Sequence, residues 1–177
     1  MNNMYKFYSL IWLLGYAGVL SAQNKPDPAS IRPAANAITP AAPYTNTTIN
    51  YIRPWEPGIP TSDPGAVTSS ISVNEVKQIT QYFDGLGRLL QTVNKGISPS
   101  TRGLVEPIIY DPFGREQYKY LPYVPNTSDG KFKTDPFNAQ KTFYQSAVPG
   151  AAGESIYYEQ TEYEASPLNR VLKIYAP

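Results

Sequence analysis

Three short stretches share one five-residue pattern: Asp84-Gly85-Leu86-Gly87-Arg88, Asp111-Pro112-Phe113-Gly114-Arg115 and Ser166-Pro167-Leu168-Asn169-Arg170. Each position has a physical reason. Asp or Ser at the first place can accept a backbone N–H further along the turn, and Pro at the second presets φ for a type I turn. The fourth residue must reach positive φ, which Gly does freely and Asn tolerates. A type I turn followed by such a residue is a common three-residue β-hairpin loop. This geometry sets Asp84 opposite Arg88, and Asp111 opposite Arg115, across their strands. An exposed pair of this kind contributes only about 0.2–1 kcal/mol, so it fixes register more than stability. A structural use of the turns outweighs a catalytic role for either aspartate.

The segments around the turns are short, apolar and bounded by Gly, Pro, Asn and Asp: 78–83, 89–93, 105–110, 116–123, 156–163 and 171–175. Their enrichment in Val, Ile, Thr and Tyr predicts strands. Val73, Val76, Ile79, Tyr82 and Phe83 also have helical spacing, so 73–83 could open with a helical turn before becoming a strand. A helix is predicted over 136–145, where Asp135 can cap, Pro136 suits the first helical position, and Phe137, Gln140, Lys141 and Tyr144 share a face. The fold class is therefore mainly β, antiparallel strands and hairpins with a short helix.

Tyr82-Phe83-Asp84-Gly85-Leu86-Gly87-Arg88 and Tyr110-Asp111-Pro112-Phe113-Gly114-Arg115 resemble the Tyr-Asp-x-x-Gly-Arg core of YD repeats in bacterial Rhs-type proteins. The wider run, with Tyr118 to Tyr123, Asp135-Pro136-Phe137 and Ser166 to Leu172, is similar to a domain of unknown function that precedes such repeats in large secreted proteins. Phe83 replaces the Tyr directly before the first Asp, and Ser166 and Asn169 replace Asp and Gly in the third copy. The resemblance implies a non-catalytic structural module of a secreted YD-repeat protein, serving export, shell assembly or attachment at the cell surface. It implies as partners further YD repeats of the same polypeptide or of a homologous chain, and no cofactor. The strand 171–175 pairs with 156–163 and leaves its other edge open, so the domain is expected to be cut short at its C-terminal end and to self-associate.

Ahead of the hairpins the chain is built differently. Residues 1–22 carry one lysine, an apolar run over 10–20 and Ser21-Ala22, the order of a cleavable secretory signal. The run is too short to span a membrane, and with no cysteine after it there is no lipoprotein anchor. The expected location is outside the cytoplasm, secreted or at the cell surface. Nine prolines then fall between residues 23 and 66, a density that excludes helices and central strands. Residues 23–48 read as a disordered, solvated linker, and 49–177 as the β-rich domain. Around Asn50 to Trp55 a polyproline or edge strand is expected against that domain.

Composition narrows the chemistry. The chain has no His and no Cys, which removes imidazole bases, thiolate nucleophiles, disulfides and the usual zinc and iron-sulfur ligand sets. Lys and Arg number 15 against 14 Asp and Glu, and losing Lys6 with the signal would leave 14 of each. No basic nucleic-acid footprint exists. Charged residues are 16% and aromatics 13%, so the surface is rich in Tyr, Thr and Asn rather than ionic. Ser128 and Lys131 have the spacing of a Ser–Lys pair, but Gly130 between them predicts a turn. Glu154, Glu159, Glu162 and Glu164 read as a solvated face rather than a glycosidase pair. Asn46-Thr47-Thr48 and Asn126-Thr127-Ser128 match the glycosylation acceptor pattern and read as loops. Tyr118 and Tyr120 are candidate ligand-facing residues, which makes a carbohydrate-binding or adhesive module for cell-surface glycans the alternative function.

Overall fold

The computed structural model describes residues 35–69, 72–151 and 154–177. The signal-like segment 1–22 and the first part of the leader lie outside the described residues. The elements in chain order are strands β1 (Asn50–Ile52) and β2 (Trp55–Pro57), the short helix α1 (Pro64–Ser69), β3 (Val76–Phe83), β4 (Leu89–Asn94), β5 (Leu104–Pro107), β6 (Tyr118–Tyr120), the helix α2 (Pro136–Ala147), β7 (Tyr158–Tyr163) and β8 (Val171–Tyr175). All strand pairs are antiparallel.

One sheet runs β1-β3-β4-β5, with β2 sharing the β3 edge with β1, and the other runs β6-β7-β8. Bridges between Val105 and Tyr123 and between Ile108 and Lys119 tie β5 to β6 and its continuation. The chain is thus a meander of three hairpins, β3–β4, β5–β6 and β7–β8, each closed by one of the three turns. Both outer hairpins carry an irregularity directly before the turn, at Tyr82/Phe83 and at Glu162/Tyr163. Extra twist at that point is what a bulge gives.

Alternation decides the core. Thr80, Tyr82, Gln91, Val93, Val105, Pro107 and Tyr123 are buried on one face, and Tyr82, Val93, Val105 and Tyr123 form its apolar centre with Ile49, Phe132, Phe143 and Tyr144 packed against it. The loop after β6 folds over this face. Gln91 holds it by donating to the Lys133 carbonyl at 2.9 Å and accepting the Lys133 N–H at 3.0 Å, and the Tyr82 hydroxyl donates to the Gly130 carbonyl at 2.9 Å. These bonds satisfy side chains whose burial would otherwise be costly.

Helix α2 begins at Pro136, where a missing N–H costs nothing. Asp135 makes no side-chain bond to the helix backbone; its carboxylate instead accepts the Asn138 side-chain amide at 2.8 Å. Phe137 and Gln140 face inward, and Gln140 Nε2 donates to the carbonyls of Leu121 and Tyr157 at 2.7 and 3.0 Å. Tyr144 stacks on Tyr157 at 4.9 Å, while Lys141 is exposed. Residues 73–75 form a turn, and β3 starts two residues before the expected strand.

The prolines between 23 and 66 do not exclude every helix, because α1 begins at Pro64, where a missing N–H is tolerated. Residues 35–48 contain no helix or strand, yet they are laid on the domain rather than solvated throughout. Ala35 is buried. The Asn36 N–H donates to Gln160 Oε1 at 2.9 Å, and the Tyr158 hydroxyl donates to the Asn36 carbonyl at 2.6 Å. The Tyr44 N–H donates to the Thr134 carbonyl at 2.7 Å, and its ring packs on Phe132 and Phe137. Burial pushes the Tyr44 phenol up to about 12.

Candidate functional site

The three turns lie side by side along the meander. In the first, the Leu86 and Arg88 N–H groups donate to Asp84 Oδ1 at 2.9 and 2.8 Å, and Arg88 Nε donates to Oδ2 at 2.8 Å. In the second, the Phe113 and Arg115 N–H groups donate to Asp111 Oδ1 at 2.9 Å, and Arg115 Nε to Oδ2 at 2.7 Å. Gly87 and Gly114 both have φ of 78°, a conformation strained for any residue with a Cβ. One carboxylate therefore satisfies two turn N–H groups and fixes the guanidinium, all from five residues.

The third turn reaches the same result with different residues. Asn169 takes the positive φ, at 52°, and Ser166 Oγ accepts the Leu168 N–H at 3.2 Å. The carboxylate comes from Glu164, which accepts the Ser166 hydroxyl at 2.6 Å, the Arg170 N–H at 3.3 Å and Arg170 Nε at 3.0 Å. Glu164 is therefore not part of a solvated face: its side chain is only 14% exposed. A residue two places upstream of the pattern, with a longer side chain, occupies the position that Asp holds in the other turns. Pro112 and Pro167 sit exposed at the second turn positions.

These contacts set the carboxylate protonation. The Arg88 backbone N–H and guanidinium, with the Leu86 N–H, hold the Asp84 carboxyl below the usual range. Burial pushes the Asp111 carboxyl up, but the backbone and guanidinium of Arg115 and the Phe113 N–H outweigh it and lower it overall. Arg170 and the Ser166 hydroxyl lower Glu164.

Each of the first two arginines also reaches the next hairpin. Arg88 lies 4.8 Å from the Tyr110 ring centroid, and Arg115 lies 4.7 Å from that of Tyr163. Arg115 Nη1 donates to Asn169 Oδ1 at 2.9 Å. A Cβ on Gly114, the equivalent of Asn169 one hairpin earlier, would stand 3.6 Å from Arg88 Nη1. Asn in place of Gly thus supplies an acceptor to the arginine of the preceding turn.

Tyr118 and Tyr120 are half-buried. Both rings pack edge-on or tilted against Tyr158, at 5.2 and 5.3 Å, and Tyr120 also meets Phe137 at 4.8 Å. Burial pushes the Tyr120 phenol up to about 12. Tyr120 lines a cavity of about 370 Å³ between residues 37–40 of the leader and Gln140, Lys141, Tyr157 and Tyr158. The 128–131 segment is a turn in which Asp129 accepts the Lys131 N–H at 3.0 Å and pairs with Lys133 at 2.6 Å. Among the described residues no group of three or more Asp or Glu side chains is placed to hold a metal, and no helix is long and apolar enough to cross a membrane.

A family model, described as a domain of unknown function (DUF6443), matches residues 53–177, more than half of the chain. No curated protein and no solved structure matches it.

Proposed function

The chain belongs to the DUF6443 family, and we propose that it is a non-catalytic structural module of a secreted Rhs-type, YD-repeat protein, acting in export, shell assembly or surface attachment. Shell assembly is the role the geometry supports best. The observation that carries it is the row of turns: every hairpin presents the same carboxylate-fixed arginine on the same side, and Arg88 and Arg115 each bind the hairpin that follows. A unit that adds to its neighbour by one repeated contact is suited to extension. Its two edges differ accordingly. The β3 edge is covered by β1 and β2, short strands interrupted by Pro54 and Pro57, a common way to end a sheet. The β8 edge has no strand beside it among the described residues, and Val171, Leu172 and Ile174 are exposed there. The turn carboxylates are engaged by turn N–H groups and arginines, which supports a structural use over proton transfer.

The test is sedimentation of the purified chain alone and mixed with a separate polypeptide of consecutive Tyr-Asp-x-x-Gly-Arg hairpins. A complex is the expected result. Two boundaries that migrate as they do separately would overturn the reading.

The cavity lined by Tyr120 favours a second reading, a carbohydrate-binding or adhesive module for surface glycans, with Tyr120 stacking on a sugar ring in the cavity and Tyr118, outside its lining, on a ring beside it. Glycan binding that disappears in Tyr118→Ala and Tyr120→Ala would support it. Binding indifferent to both would remove it.

A further inference from the structure

The two contacts between hairpins follow one rule. Arg88 lies over Tyr110, and the Tyr110 hydroxyl donates to the carbonyl of Leu89, the residue after the arginine, at 3.0 Å. Arg115 lies over Tyr163, and the Tyr163 hydroxyl donates to the carbonyl of Glu116, again the residue after the arginine, at 3.4 Å. In both cases the ring stands directly before the carboxylate of the next turn: Tyr110 before Asp111, Tyr163 before Glu164. One side of the rule is an arginine and the following carbonyl; the other is a tyrosine placed just ahead of a turn.

Arg170 and Val171 repeat the first side. Glu164 fixes the Arg170 guanidinium through Nε at 3.0 Å and Nη2 at 2.9 Å, much as Asp84 and Asp111 fix theirs. Yet the Arg170 side chain is 71% exposed, against 39% for Arg88 and 21% for Arg115. All three arginines are held by a carboxylate, and the two less exposed ones are those that lie against a ring of the following hairpin, Arg88 on Tyr110 and Arg115 on Tyr163. Among the described residues no aromatic ring lies against Arg170.

We propose that Arg170 and the Val171 carbonyl form a clamp for a tyrosine, and that the β8 edge takes a hairpin from another polypeptide whose tyrosine stands directly before a Tyr-Asp-x-x-Gly-Arg turn. The inference rests on β8 being an assembly edge and adds what the partner must carry. Backbone pairing at an edge reads no sequence, and a slip of one residue turns every side chain to the opposite face. A ring seated under Arg170 sets that register. Because Glu164 already holds the guanidinium, little side-chain freedom is lost when the ring arrives. A second copy of this chain fits poorly: Tyr110 and Tyr163 are engaged, Phe83 has no hydroxyl, and β1 and β2 occupy the β3 edge.

The probe is a synthetic hairpin with the sequence of residues 104–123, which carries Tyr110 before Asp111, added to the full chain. Binding is measured by calorimetry and located by amide exchange. The expected result is protection within 171–175 and a loss of affinity of about tenfold for Arg170→Gln in the chain or Tyr110→Leu in the peptide. The double change should cost no more than either single change, because both remove one contact. Arg170→Gln could also loosen its own turn, so the peptide variant, which leaves the chain intact, is the deciding measurement. Binding at β8 that ignores Tyr110→Leu, or whose losses simply add, overturns the clamp and leaves the assembly edge standing. No binding, or protection elsewhere, overturns both.

Discussion

The second and third hairpins have the same turn chemistry and opposite surroundings. Asp111 and Glu164 each gather a backbone N–H and an arginine Nε, but the second hairpin is flanked by β4 on one side and β7 on the other, while the third has β6 on its inner side and nothing beyond β8 among the described residues. The side chains on their strands show the consequence. Val105 of β5 is 0% exposed and Val171 of β8 is 51% exposed. Local sequence makes the hairpin; the neighbour makes the core.

That contrast gives the largest expected effect. Val105→Ala removes two buried methyl groups from the centre of the packed face and should lower unfolding stability by about 2 kcal/mol, transfer and cavity terms together. Val171→Ala should change it by less than about 0.5 kcal/mol, as exposed substitutions do. Urea unfolding of the two variants checks both. Equal losses would mean that β8 is covered in solution and that the two hairpins do not differ as described.

Acid separates the turns from the packing. The folded state holds Asp84, Asp111 and Glu164 below their ordinary values of 3.8, 3.8 and 4.5, so the unfolded chain binds protons first as pH falls. Their contribution is complete above the unfolded values and is lost as pH drops through the folded ones. Glu116 has the opposite sign, because burial raises its carboxyl and protonation there favours the folded state. The urea midpoint should therefore not fall between neutral pH and about 5, where protonation of Glu116 can only raise it, and should fall below about 4. Asp111→Asn should weaken that fall. An undiminished acid transition in this variant would show that the second turn is not one of its sources.

Much of the hairpin architecture was legible because it is local. Alternating Val, Ile, Thr and Tyr around a turn that demands positive φ needs no distant information, and Asp135-Pro136 marks the helix start within two residues. Three features were not local. β1 and β2 lie where a polyproline or edge strand is expected around Asn50 to Trp55, but three residues beside prolines are too short for alternation to fix their pairing, which the waiting edge of β3 decides. The leader at 35–48 docks through main-chain groups and Tyr44, which composition reads as solvated. The arginine contacts join residues 22 apart in one case and 48 in the other, from 88 to 110 and from 115 to 163, so no sequence period announces them. Glu164 was obscured by the two extra residues that lengthen its turn.

Asn169 offers the smallest effect and the finest distinction, since it answers to both its own turn and its neighbour. Its φ of 52° penalises a Cβ, and its Oδ1 accepts from Arg115 Nη1 at 2.9 Å. Asn169→Gly relieves the backbone and loses the bond, two changes that largely offset, so stability should move by less than about 0.5 kcal/mol. Asn169→Ala keeps the Cβ and loses both the bond and the tolerance of asparagine for positive φ, and should cost about 1 kcal/mol. In an Arg115→Gln background the bond is already absent, so Asn169→Gly should become stabilising while Asn169→Ala stays costly by the backbone share alone. Thermal unfolding of the two single changes, of Arg115→Gln and of the two double changes separates the two shares. If Asn169→Gly has the same effect in both backgrounds, the Arg115–Asn169 bond carries no energy, and the third hairpin leans on the second through Tyr163 and its strands.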